Sequence, residues 1–288
     1  MPGRRRAVVA GALLGVSIAT GLTAAGCADE GAGTGPDQTA LPDGLTAFVD
    51  QSRVQRQGRT VFVRLINDTG QRVTVTQAVV GSPRFPERTW TGEKSFVNEA
   101  DLEFELPPGR CGRGSDATVR LTYRLDDGPE RVSTTTARDR YGAIGLFLAR
   151  DCAEATLAEA ADVEVGEPSV TGRGRGAVFE LPVRFVPTGE RADVAFAGFE
   201  DTVLFRNAPR SPTAGGEPVP VTGEPVRVVL RLVPARCDPH ALAEDKVGTL
   251  VGVRVDAPEL PPGSSYYLPL GEPDRSALRG FFAVHCGL

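Results

Sequence analysis

From residue 45 onward the chain is a succession of short segments in which apolar and polar residues alternate. The clearest is 117–125, where Ala117, Val119, Leu121, Tyr123 and Leu125 fall on one side and Thr118, Arg120, Thr122 and Arg124 on the other. Successive side chains of a strand point to opposite faces, so this spacing predicts a sheet with one face buried and one in water. Segment 249–255 repeats the pattern, with Val251, Val253 and Val255 inward. Segments 60–66 and 178–186 are partly apolar on both faces, as a strand in the middle of a sheet requires. A turn at Asn67-Asp68-Thr69-Gly70 separates 60–66 from 72–78, and one at Pro187-Thr188-Gly189 separates 178–186 from 192–196. Each pair reads as a β-hairpin. Asn67-Asp68-Thr69 also has the form of a glycosylation triplet, and the turn is sufficient reason for it. Segment 153–161 is helix-prone and reads as a short helix or a linker.

The segments recur in the same order twice. Leu102-Glu103-Phe104-Glu105-Leu106 leads into Pro107-Pro108-Gly109-Arg110-Cys111, and Val228-Val229-Leu230-Arg231-Leu232 leads into Val233-Pro234-Ala235-Arg236-Cys237. Each half then closes on Gly, apolar residues and Cys: Gly145-Leu146-Phe147-Leu148 before Cys152, and Gly280-Phe281-Phe282-Ala283 before Cys286. These closing runs read as the last strand of each half. The recurrence points to an internal duplication. Many short antiparallel strands broken by Gly and Pro turns describe a β-sandwich, and in plan each half resembles immunoglobulin-like or fibronectin-like sandwiches. The antibody signature is not reproduced, because the one Trp, Trp90, precedes the first Cys pair. The expected fold class is all-β, with two tandem antiparallel β-sandwich (Ig-like) domains at 44–153 and 162–288.

The N-terminus has a different character. Arg4, Arg5 and Arg6 precede an uncharged stretch, 7–26, rich in Ala, Val, Leu and Gly, which is the pattern of an export signal. The stretch ends Leu22-Thr23-Ala24-Ala25-Gly26-Cys27 and here the chain resembles bacterial lipoprotein precursors. The resemblance implies removal of 1–26, a diacylglycerol on Cys27, and a protein held on the extracytoplasmic face of the cell membrane. The family's usual Leu three residues before the Cys is Ala24 here. An uncleaved membrane span and plain secretion are the competing readings, and Arg4-Arg5 leaves the twin-arginine route open beside the general one. Residues 27–43, led by Gly, Pro and acids, read as a flexible tether.

Charge and cysteine content narrow the setting. Removing 1–26, which carries three Arg and no acid, takes the formal charge from -5 to -8. An acidic chain with no basic stripe gains nothing from phosphate contacts, so nucleic acid is not an expected partner. Anionic headgroups also repel it, which leaves an acyl group or a chain segment to make the membrane attachment. Lys occurs only at 94 and 246, and the preference for Arg with abundant Ala, Gly and Val suits a high-GC, actinobacterial genome. With Cys27 lipidated, Cys111, Cys152, Cys237 and Cys286 remain, an even set that reads as two disulfides. Four cysteines allow three connectivities. The duplication selects Cys111 with Cys152 and Cys237 with Cys286, each bond inside its own repeat.

Candidate chemistry is sparse. The two His, His240 and His285, lie near Cys237 and beside Cys286. A zinc site built from them would need neighbouring residues of one strand to reach the same ion, so disulfides are the better reading. Asp238-Pro239 is a good helix start for 240–245, with Glu244 and Asp245 as solvated acids. Nucleophile elbows and phosphate-cradling loops are absent from the sequence, and the only Met is Met1. No catalytic residue and no cofactor is expected. The best binding candidates are Arg84, Phe85, Arg88 and Trp90, in a stretch read as a loop, since Arg and aromatic residues dominate interface hot spots. The competing role for Phe85 and Trp90 is to cap the core, and Tyr266-Tyr267 reads the same way. The resulting expectation is a non-catalytic envelope lipoprotein that presents its sandwiches to a protein or glycan partner or acts as a spacer. The alternative is a solute-binding or accessory subunit of a membrane system. A polar pocket between the sandwiches favours the second, exposed aromatic loop tips the first.

Overall fold

In the computed structural model, residues 38–56, 58–213, 215–238, 240 and 247–288 are described. The expected signal segment, Cys27 and most of the expected tether lie outside the described residues, as does the expected helix beyond His240.

The alternating segments become strands. In the first half they are β1 (Gln38–Thr39), β2 (Leu45–Asp50), β3 (Thr60–Asn67), β4 (Val73–Ser82), β5 (Phe85–Phe96), β6 (Glu99–Glu105), β7 (Ala117–Leu125) and β8 (Arg131–Asp139). Helix α1 (Ala143–Ala160) follows. The second half holds β9 (Ala161–Val165), β10 (Ser169–Thr171), β11 (Val178–Pro187), β12 (Ala195–Phe199), β13 (Phe205–Asn207), β14 (Val219–Pro220), β15 (Val226–Pro234), β16 (Gly252–Asp256) and β17 (Ser265–Tyr267). It ends in helix α2 (Glu272–Cys286). The fold is mostly β and its sheets are packed as sandwiches. On β7 the five residues expected inward are all buried.

The duplication is visible in the pairing. In the first half β3 lies between β2 and β6, while β4 lies between β5 and β7, with β8 beyond β7. In the second half β11 lies between β9 and β15, while β12 lies between β14 and β16, with β17 beyond β16. All of these pairs are antiparallel. The first half adds a parallel contact, Phe48 with Arg138 and Val49 with Asp139, that joins its two sheets along β2 and β8.

Two expectations are corrected. β3 and β4 do not form a hairpin, since β3 pairs with β2 and β6 while β4 pairs with β5 and β7, and neither do β11 and β12, which lie in separate sheets. The link between them is an arch over the core. Packed sheets lie about 10 Å apart, which a few residues of extended chain cover at roughly 3.3 Å each. Turn residues mark that the chain reverses without saying which neighbour it then pairs with. The closing runs before Cys152 and Cys286 are helices, not strands. Ile144, Leu148 and Cys152 recur at helical spacing along α1, as do Leu278 and Phe282 along α2, and all of these are buried.

Each sandwich surrounds its own buried cluster, and α1 belongs to both. Ile144 and Leu148 pack into the first core, whereas Cys152, Ala153, Leu157 and Ala160 pack into the second. The helix-prone segment at 153–161 is thus the second half of a longer helix that crosses from one sandwich to the other. Residues Pro36–Leu288 form one compact unit.

Candidate functional site

The Pro-x-Arg-Cys loops are where strand meets helix. Cys111, past β6, bonds Cys152 on α1, and Cys237, past β15, bonds Cys286 on α2, with Cα separations of 4.9 and 5.2 Å. The expected connectivity is the observed one. In the first loop Gly109 lies so close to α1 that a Cβ would come within 2.6 Å of Leu148 Cδ2. Its backbone N–H donates to Asp151 Oδ2 at 2.7 Å, and Arg59 donates to the same carboxylate through Nη1 and Nη2 at 3.1 and 2.8 Å. Asp151 therefore ties α1 to both the loop and the strand region of the first sandwich.

The stretch from Ser82 to Trp90 is not a loop. β4 turns at Pro83 and Arg84 directly into β5. Arg84 and Phe85 are buried and closed to a partner. Arg84 instead braces the cysteine loop: Nε donates to Arg110 O at 2.5 Å and Nη1 to Gly114 O at 3.1 Å. Burial lowers the pKa of its guanidinium, and Asp151 partly offsets this. Phe85 lies in the first core, the capping role weighed against binding. Arg88 and Trp90 keep access to solvent on β5. The indole packs against the core at one side and lies over Gly92, where a Cβ would meet it at 3.1 Å. Together with Arg59, Glu103, Phe104 and Pro108 they line a surface groove of about 570 Å³.

Tyr266 is buried in the second core, and Tyr267 lies partly open beneath the Arg150 guanidinium, 3.8 Å from its ring centroid. Asn67 holds its turn, accepting from Thr69 N and Oγ1 and donating to Gln71 O and Val97 O. His240 is exposed beside Asp238, and His285 sits at the edge of Phe281. The zinc alternative loses its thiolates to the disulfides. Among the described residues no group of three or more His, Cys, Asp or Glu is placed to hold a metal ion, and no helix is long and apolar enough to cross a membrane.

The residues missed in the sequence sit at the junction of the two halves: Arg56 and Arg59 ahead of β3, and Arg150, Asp151 and Glu154 on α1. The spacing of Arg150 and Glu154 by four was the available signal, hidden by dividing the region at Cys152 between a closing strand and a short helix or linker.

No family model matches the chain, and no curated protein matches it. Similar solved structures include the exo-chitosanase CsxA of Amycolatopsis orientalis, at 13% identity and a TM-score of 0.20, covering 79% of this chain and 26% of that one. Red sea bream transglutaminase is similar at 10% identity and a TM-score of 0.23, covering 80% of this chain and 32% of that one. The calcium binding domain CBD12 of CALX1.1 is similar at 10% identity and a TM-score of 0.21, covering 80% and 89%. The chain thus spans about a quarter of the chitosanase and about a third of the transglutaminase. A likeness at this level carries no argument about activity.

Proposed function

We propose that this chain is a non-catalytic envelope lipoprotein, anchored through Cys27, that presents a rigid two-sandwich body to a protein or glycan partner. The observation that carries the reading is the sharing of α1 by both cores, which makes one stiff body of the two sandwiches. Such a body holds the Arg88 and Trp90 groove at a fixed orientation beyond the tether. An indole with an apolar side on the core and an open face, flanked by Arg and carboxylates, has the composition of an interface centre.

The test is crosslinking in intact envelopes with the wild-type chain and with Arg88→Ala and Trp90→Ala. A partner that is captured by the wild type and lost in both variants, whose melting temperatures stay near the parent value, supports the reading. An unchanged crosslinking pattern in both variants refutes the groove as the contact surface. Solute binding is the second reading, favoured by a polar cleft between the sandwiches.

A further inference from the structure

That cleft has a volume of about 230 Å³ and is lined along α1 by Phe147, Arg150, Asp151 and Glu154. Arg56, Arg59 and Arg150 line it from the first sandwich and α1, with Tyr266, Tyr267 and Arg275 from the second half. Two of these cations already have partners. Arg59 is held by Asp151 and by Leu106 O, and Arg275 donates to Leu270 O and pairs with Glu272.

Arg56 and Arg150 are different. Among the described residues neither has a carboxylate within ion-pair distance, and Arg56 acts on Arg150 as a like charge. The Arg150 guanidinium lies over the Tyr267 ring while its Nε is buried with no hydrogen-bond partner. Glu200 faces Arg150 from the second half but is itself paired with Arg254 at 3.1 Å. Tyr266, 3% exposed, lines the same cavity, and its hydroxyl also finds no partner. Unsatisfied donors are costly in a protein interior, and Arg150 has only a share of Glu200. The collection of these donors in one cavity suits an acceptor with negative charge.

The geometry points to this cleft as a binding site for a small monocarboxylate, received by Arg150 and Arg56, with its apolar body against the surrounding side chains. Guanidinium forks match carboxylate oxygens, and a guanidinium already stacked on an aromatic ring is held ready for them. Asp151 and Glu154 in the same wall limit the positive field, which suits one negative charge better than two. Phe147, Leu250, Leu268 and Leu270 supply the apolar contact. The volume admits a body the size of one aromatic ring. The site requires neither the anchor nor the Trp90 groove.

The test is ligand-observed NMR titration of the purified full chain with sodium benzoate, benzyl alcohol and inorganic phosphate. Benzoate is expected to bind saturably and benzyl alcohol to bind at least tenfold more weakly. Arg150→Gln is expected to weaken benzoate binding at least tenfold. If that variant does not fold, Arg56→Gln, on the partly exposed segment before β3, is expected to weaken it at least threefold. Absence of saturable benzoate binding, equal binding of benzyl alcohol, or unchanged binding in the variant that folds overturns the site. Phosphate binding in preference to benzoate overturns the monocarboxylate assignment.

Discussion

Replacing Asp151 with Ala tests whether α1 is the element that fastens the first sandwich to the rest. The carboxylate is 11% exposed and accepts three hydrogen bonds, two from Arg59 and one from the Gly109 N–H. Its removal orphans the Gly109 donor, which costs about 1–3 kcal/mol if water does not reach it. It also leaves Arg59 without its counter-charge. Breaking a fully buried pair costs about 3–5 kcal/mol, but Arg59 is 32% exposed and water recovers part of that loss. Together these give a destabilisation of about 2–4 kcal/mol. For a cooperative unit of this size each kcal/mol moves the midpoint by roughly 2–4 °C. The expected drop is therefore roughly 4–16 °C in a calorimetric scan, and Arg59→Ala combined with Asp151→Ala should cost less than the sum of the two. A drop under about 0.5 kcal/mol, or strict additivity in the double variant, refutes the role given to this carboxylate.

Three further outcomes follow from the same contacts. Cys286→Ala opens a loop with a sequence separation of 49, and the chain-entropy model assigns such a loop about 4 kcal/mol. The second sandwich should lose hydrogen-exchange protection while the first core keeps it, and one thiol, on Cys237, should become titratable by a thiol reagent. Arg191 joins Glu159, Asp193 and Glu259, and its hydrogen bond holds the Glu259 carboxyl at about 2. Because this pKa is depressed on folding, the stabilisation is complete above the ordinary carboxylate range and is lost as pH falls from there through about 2. The Glu259 side chain is 39% exposed, so the effect stays under about 1 kcal/mol, and Glu259→Gln should differ from the parent at pH 6 but match it below pH 2 in denaturant titrations. Cys27→Ser should move the protein from the membrane fraction to the medium; a variant that stays membrane-bound and uncleaved is held by a spanning segment instead.

The sandwich character of the chain was legible because alternation is a local property. Ala117 through Leu125 declares which face is buried without reference to any other strand, and the burial agrees at every inward position. Pairing is not local. The turn at Asn67 to Gly70 looks the same whether the next strand hydrogen-bonds to β3 or pairs elsewhere, and here it pairs with β5 and β7. The run before Cys152 was misread for another reason: Gly145-Leu146-Phe147-Leu148 is too short to distinguish the two periods, and its helical set, Ile144 with Leu148 and Cys152, appears only over a longer window. The disulfides were legible through the duplication, a symmetry argument that does not depend on knowing strand from helix. Of the binding candidates, Arg84 looked like a surface cation because Arg is seldom buried, and its backbone acceptors at Arg110 and Gly114 arrive from a loop that the sequence does not place beside it. The cleft at the junction of the halves was invisible, since its residues come from four separate stretches of chain.

The connectivity of the two bridges bears on how the chain acquires them. The bonded partners are consecutive in sequence, first with second and third with fourth, and the two loops neither nest nor interleave. For a chain threaded across a membrane N-terminus first, Cys111 and Cys152 both arrive before Cys237 does. An oxidant that couples thiols in order of arrival then produces the native bridges directly, and no reshuffling through a mixed disulfide is required. On the proposed anchoring, acylation of Cys27 would remove the one earlier thiol that competes for Cys111. For an exported chain, the position of each cysteine along the polypeptide would then double as a timetable, in which the first bridge can close before the cysteines of the second repeat arrive.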